Sequence, residues 1–160
     1  MALPTKTEFS FVIAAQQGIL ETVQRLISQA VDLSAALYCA SCNGHIAVIN
    51  EILDYNSSIV NITHQYNSMT ALMGACWNGH LGTVQVLLKR GSDVIMKNRF
   101  GKTALSCTLL STKDSLSEEV RKRQIVNLLR YYPHNLLQTA LAEINAKYPG
   151  LVTADDVLYV

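Results

Sequence analysis

The chain has little charge, little aromatic content and no long apolar run. Charged residues make up 16% of its 160 residues, the net charge is +1, and aromatic residues account for 7%. That balance lacks the electrostatic bias of a nucleic-acid-binding protein, while 49% hydrophobic content is too high for a disordered chain. No apolar stretch approaches the roughly 18 to 20 residues that cross a bilayer. The apolar patch near the N-terminus follows Glu8 and reads as the start of a helix, not as a cleaved leader. No glycine-rich phosphate loop and no serine-centred elbow occur, and the histidines fall in turns or loops without an obvious nucleophile partner. No catalytic site, metal or cofactor is expected, and the reading is of a soluble, non-enzymatic domain.

What the chain does have is self-similarity. Ala36-Leu-Tyr-Cys-Ala-Ser-Cys-Asn-Gly-His45 matches Ala71-Leu-Met-Gly-Ala-Cys-Trp-Asn-Gly-His80 at six of ten positions, every match offset by 35. Thr70-Ala71-Leu72 returns as Thr103-Ala104-Leu105 at an offset of 33, and Ala14 to Gly18 is similar to Ala40 to Gly44. An apolar triplet follows each copy: Val23, Leu26, Ile27; Ile49, Ile52, Leu53; Val84, Leu87, Leu88; and, delayed, Ile125, Leu128, Leu129. A short helix from about Ala71 to Asn78 would place Leu72, Ala75 and Cys76 on one face, with Gly79 ending it in the left-handed conformation. A second helix from about Leu81 to Lys89 would bury Val84, Leu87 and Leu88 and stop at Gly91. Units that cannot bury their apolar faces alone must stack.

These residues resemble the ankyrin repeat, most completely in the third unit, where Thr70, Leu72, Ala75, Gly79, His80, Leu87, Leu88, Gly91 and Asp93 fall in register. The pattern's Thr-Pro-Leu-His is never intact. Ala71 and Ala104 stand for its proline, and Tyr38, Met73 and Ser106 for its histidine. The resemblance implies an all-α repeat solenoid of helix-turn-helix pairs with short hairpin loops, forming one domain over 1–160. Repeats fall at about 9–32, 33–66, 67–98 and 99–132, followed by a capping helix at 135–148 and a tail at 149–160. The first unit lacks its leading hairpin, as an N-terminal cap does, and the C-terminal cap diverges as well. The connection from Asp54 to Asn67 is about two residues long for the period and reads as a longer loop. About eight residues are inserted within 111–124, where Ser117, Glu118 and Glu119 suit a helix start. Arg121, Lys122 and Arg123 read as a solvated helix face, with a phosphate-binding or nuclear-import patch as the alternative. The apolar tail either folds back on the cap or docks elsewhere.

All four cysteines, Cys39, Cys42, Cys76 and Cys107, fall on expected inner helices, which favours buried, reduced thiols and a cytoplasmic location. Cys39-x-x-Cys42-x-x-His45 has metal-like spacing but only three ligands. His45 and His80 belong to Asn-Gly-His, where the family uses the ring to brace the turn.

The resemblance further implies that a protein partner binds in the concave groove formed by the hairpins and inner helices. Carried over by position, the groove residues are Tyr66, Asn67 and Met69; Arg99, Phe100 and Lys102; and Gln16, Gln17, Cys42, Asn43, Trp77 and Asn78. The partner-binding set expected to matter is Tyr66, Met69, Trp77, Asn78, Arg99, Phe100, Lys102 and Asn43. Trp77 is the chain's single tryptophan, and it reads either as a hot spot or as a lid over the neighbouring helix. The expected function is that of a monomeric interaction module or adaptor, with nucleic acid disfavoured and no membrane insertion. The alternatives are an inhibitor or immunity-like regulator of an enzyme, or a bacterial effector acting as an adaptor in the host cytoplasm.

Overall fold

The computed structural model describes residues 6–29, 32–65, 67–111 and 119–132, with side chains in the first helix from Phe9 onward. Helices come in pairs. The first is α1 (Lys6–Gln17) with α2 (Leu20–Leu26), which runs on into a 3-10 turn at Ile27–Gln29. The second is α3 (Leu33–Asn43) with α4 (Ile46–Tyr55), and the third α5 (Ala71–Trp77) with α6 (Leu81–Lys89). α7 (Ala104–Leu110) is followed by a helix over 119–132, α8. No strand forms among the described residues.

The recurring sequence marks are helix caps. Thr70 Oγ1 accepts from Met73 N at 3.2 Å and Thr103 Oγ1 from Ser106 N at 3.4 Å, while Asp32 accepts from Ala35 N at 2.9 Å. Each side-chain oxygen satisfies a peptide N–H that the helix leaves without a partner. At the other end, Gly18, Gly44 and Gly79 have φ of 75°, 77° and 73°. The residue after each glycine donates back to an alanine carbonyl: Ile19 to Ala14 at 2.9 Å, His45 to Ala40 at 3.0 Å, and His80 to Ala75 at 3.0 Å. That left-handed stop turns the chain into the outer helix.

Helices α1, α3, α5 and α7 pack on one another in sequence as an inner row, whereas α2, α4 and α6 touch less extensively as an outer row. Ala15, Ala36, Ala40, Ala71, Ala75 and Ala104 are buried along the inner row, and their small size permits the close approach. Outer helices contribute Val23, Ile49, Ile52, Leu53, Val84, Leu87 and Leu88 to the same core. Helix α5 departs from the one-faced expectation, because all six residues from Ala71 to Cys76 are buried. It contacts α3, α6 and α7, so it has no free side except at its C-terminal end.

Consecutive pairs are also stitched by histidine. His45 Nε2 lies 2.9 Å from the Gln16 carbonyl, and His80 Nε2 lies 2.9 Å from the Cys42 carbonyl. A carbonyl only accepts, so Nε2 donates in both. Each ring covers the preceding pair's glycine: a Cβ at Gly18 or Gly44 would approach it to 2.6 or 2.9 Å. The brace therefore reaches back across the stack, beyond its own turn.

The connection from 54 to 67 is not a plain loop. Its residues Ser57–Asn61 form a 3-10 turn that buries Ile59 and Val60. Asn61 then ties to the next turn, donating to Gly91 O at 3.1 Å and accepting from Asp93 N at 2.9 Å. The extra residues thus add a contact between successive units. In the last pair, Ile125 and Leu129 of α8 enter the core, Tyr132 hydroxyl donates to Leu88 O, and Lys122 Nζ donates to Ser111 O. Arg121 and Arg123 are exposed, whereas Lys122 between them is half-buried. The helix start expected at Ser117, the capping helix at 135–148 and the tail at 149–160 lie outside the described residues. Among the described residues, no helix is long and apolar enough to cross a membrane.

Candidate functional site

Two loops and three inner helices, α3, α5 and α7, shape a cleft on the inner side of the stack. The loop before α7 is built around Asn98, which is nearly buried and whose side-chain oxygen accepts from Phe100 N at 2.9 Å and Lys102 N at 3.0 Å. Asn98 N also donates to Lys102 O at 3.0 Å. So closed, the turn projects Arg99 and Phe100 outward, with the Arg99 guanidinium 5.0 Å from the centre of the Phe100 ring.

The loop before α5 is closed by His64 N donating to Met69 O at 2.8 Å and by Met69 N donating to the Asn67 side chain at 3.0 Å. Its hub is Tyr38 of α3. The Tyr38 ring stacks on His64 with centroids 4.6 Å apart, and its hydroxyl takes a 2.9 Å hydrogen bond from Asn67 and lies 3.7 Å from the Met69 sulfur. Burial pushes the Tyr38 hydroxyl up to about 12, Cys42 adding to the shift while the Asn67 bond opposes it. It stays neutral through the physiological range.

Between these loops lies a cleft of about 370 Å³, lined by Tyr38, Met69, Gly74, Trp77, Asn78, Asn98, Phe100, Lys102, Cys107 and Leu110. Gly74 has no side chain because there is no room: a Cβ would come within 2.7 Å of Cys42 Sγ and 3.0 Å of the Tyr38 ring. Trp77 is 41% exposed and Phe100 67%.

Of the eight residues expected to bind a partner, Met69, Trp77, Asn78, Phe100 and Lys102 line this cleft together. Arg99 adjoins it through Phe100. Asn43 is exposed on α3 and donates to Cys39 O at 2.8 Å, just as Asn78 donates to Gly74 O at 3.0 Å. Both amides brace the last turn of their own helix by bonding a carbonyl four residues back. Tyr66 lies outside the described residues. Gln16 and Gln17 are exposed at the end of α1, away from the cleft lining. Cys42 is turned toward Gly74 and Tyr38.

The expected set did not include Tyr38, Gly74, Asn98, Cys107 and Leu110. Leu110 had a signal, since it stands 33 residues after Trp77. Tyr38 replaces the pattern's histidine, a departure that marked the position without revealing its stack on His64.

The cysteines are free thiols, with Cys76 and Cys107 buried and Cys39 and Cys42 only partly so. Burial pushes Cys42 up to about 11 and Cys76 up to about 12, and raises Cys39 and Cys107, the last against the pull of Lys102. Protonated thiols are poor nucleophiles and poor metal ligands. His45, the third member of the metal-like spacing, spends its Nε2–H on Gln16 O. Among the described residues, no three of His, Cys, Asp or Glu gather as a metal would require. The cleft combines apolar walls, the amides of Asn78 and Asn98 and a cationic edge at Lys102.

Comparison with known proteins places the repeat pattern. A family model described as ankyrin repeats, three copies, matches residues 11–98. The human NAD-capped RNA hydrolase NUDT12 is 36% identical over 86 residues, which is 54% of this chain and 18% of that protein. Its counterpart in Macaca fascicularis is 38% identical over 74 residues, 46% of this chain and 16% of that protein. Protein HOS4 of Saccharomyces cerevisiae is 35% identical over 94 residues, 58% of this chain and 8% of that protein. The chain thus spans less than a fifth of the length of each of these relatives. With the threonine caps, the glycine stops, the histidine stitches and the two-row stack all in place, the chain belongs to the ankyrin repeat family.

Proposed function

We propose that this chain is a protein-interaction module that seats its partner on the inner face of the stack, centred on the cleft lined by Trp77 and Phe100. Ankyrin repeats suggest the interaction role in general and are typically non-catalytic. One observation supports this location. Where the inner row is otherwise dominated by buried small residues, Trp77, Phe100 and Leu110 are large, apolar and exposed around one cavity. Exposed aromatics beside an arginine are the residue types that dominate binding energy at interfaces. The activity in the name of the human relative belongs to that protein, of which the match spans 18%.

Within this reading the chain is one domain of four repeats and acts as a monomeric adaptor. Four free thiols, two of them one helical turn apart on α3, suit a reducing cytoplasm. An adaptor, host-directed or not, is favoured over an enzyme inhibitor because an apolar cleft with a cationic edge suits a peptide segment and needs no enzyme opposite it.

The test is crosslinking of the full chain in cell lysate, identification of the crosslinked partner by mass spectrometry, and calorimetry with that purified partner. Trp77→Ala should weaken binding by about tenfold or more while leaving the thermal melt nearly unchanged. Undiminished affinity in a folded Trp77→Ala, Phe100→Ala double variant would remove the cleft from the interface.

A further inference from the structure

Among the described residues, the charge around the cleft is one-sided. From residue 94 to residue 111 the chain carries Lys97, Arg99 and Lys102 and no acid. The described acids are placed elsewhere or already engaged. Glu51 accepts from Gln24 at 2.9 Å and Asp54 pairs with Arg90 at 2.6 Å, both on α4 of the outer row. Asp32 caps α3, Asp93 accepts from Ile95 N at 2.9 Å within its own turn, and Glu21 and Glu119 belong to α2 and α8. On the inner side, Lys102 lines the cleft, while Arg99 is held at its edge by stacking on Phe100.

Size narrows the occupant. About 370 Å³ lies at the lower end of the roughly 300 to 1,000 Å³ typical of small-ligand sites, enough for one or two side chains. Resting on the partner-binding reading above, we infer that the cleft takes an extended acidic segment of a protein partner, with a large apolar side chain entering between the loops and a neighbouring carboxylate meeting Arg99 and Lys102. Arg99 suits that carboxylate because a stacked guanidinium keeps its planar fork of donors available for a bidentate bond. Phe100, Trp77 and Tyr38 could also stack nucleic-acid bases. A single-stranded nucleic acid, however, needs cations tracking along its backbone, and these three cations sit on one loop.

A random-peptide display library selected on the full-length protein tests this. The comparison proteins are an Arg99→Glu, Lys102→Glu double variant and Trp77→Ala, each first shown to be folded by its thermal melt. Trp77, the single tryptophan, reports occupancy through its fluorescence in the wild type and in the charge variant. Enriched peptides should combine a large apolar residue with adjacent Asp or Glu, and should shift Trp77 emission. Their affinity should fall with added salt and drop on the order of tenfold in the charge-reversed variant. Peptides that shift Trp77 emission but show no acidic bias, or show the same bias on the charge-reversed variant, overturn this inference and leave the cleft reading standing. No enrichment on the wild type beyond that on Trp77→Ala overturns both. A random single-stranded oligonucleotide that shifts Trp77 emission with a steeper salt dependence than any peptide also overturns the inference, in favour of nucleic acid.

Discussion

The first two junctions of the stack and the third are built from the same kind of inner-helix packing but closed differently. Between the first and second pairs, and between the second and third, a histidine ring covers a left-handed glycine and its Nε2 bonds a helix-end carbonyl. At the third junction, no described atom lies within 4 Å of a Cβ on Gly79. Trp77, which corresponds in register to Gln16 and Cys42, stands beside the cleft there. The last pair packs on α5 through α7 and is tied further by α8, through Ile125, Leu129 and the Tyr132 bond to Leu88. The contrast teaches that regularity and exposure trade places along one solenoid. Where the repeat's stitch is kept, a histidine ring covers the glycine stop; where no described ring does so, an apolar recess opens beside Trp77.

The largest effects should come from the shared core, which both kinds of junction need. Ile52→Ala and Leu87→Ala should each cost about 2 to 5 kcal/mol in urea unfolding, since both side chains are fully buried. A loss of stability confined to one end of the chain, read by hydrogen exchange, would break the view of a single cooperative stack. Ala75→Leu should cost about 1 to 3 kcal/mol by overpacking α5 between its neighbours, and an unchanged melt would contradict the close inner row.

Glycine substitutions sharpen the comparison directly. Gly79→Ala should cost only the left-handed backbone penalty of about 1 to 2 kcal/mol, because nothing described stands over it. Gly44→Ala should cost more, since its Cβ must also displace the His80 ring and loosen the bond to Cys42 O. Equal losses would mean that the stitch contributes nothing.

Alkaline pH should weaken the fold through the partly buried Cys42 and the buried Cys76. Cys42 and Cys76 rise from 9.0 to about 11 and about 12 on folding, so above pH 9.0 the unfolded chain releases protons that the folded chain retains. Their stabilising contribution is complete below pH 9.0 and is lost as pH climbs through about 11 to 12. Cys42→Ala should make the decline between pH 9.0 and 11 shallower in urea melts, and an unaltered slope would rule this linkage out.

The smallest effect is expected on the outer row. Arg90→Ala removes a partly exposed pair with Asp54 and a 3.0 Å bond to Asn50, and should cost no more than about 1 kcal/mol. A larger loss would show the outer row to be more than a loose backing for the inner one.

Much of the scaffold was legible because repetition writes the same physics several times. The extents of α5 and α6, the glycine stops at 79 and 91, and the burial of Val84, Leu87 and Leu88 follow from spacing and turn chemistry alone. The 3-10 turn at Ser57–Asn61 was not legible, since its anchor is the distant Gly91 loop. Nor was Tyr38, whose importance comes from a stack on His64 and a bond from Asn67 rather than from its own helix. Five of the eight expected site residues meet at the cleft, and the register that supplied Trp77 could have added Leu110. Asn43 braces its helix end as Asn78 does but lies one pair away from the cleft lining.

The sequence by itself determined the helix pairs and their order, because caps, glycine stops and apolar spacing act within a few residues. It also determined that the units must stack, since none can bury its apolar face alone. Only the tertiary structure decided which face is closed and which is open. That depends on contacts between residues some thirty positions apart: a histidine settling on the previous pair's glycine at two junctions, and at the third no described group over Gly79, with the cleft opening beside Trp77.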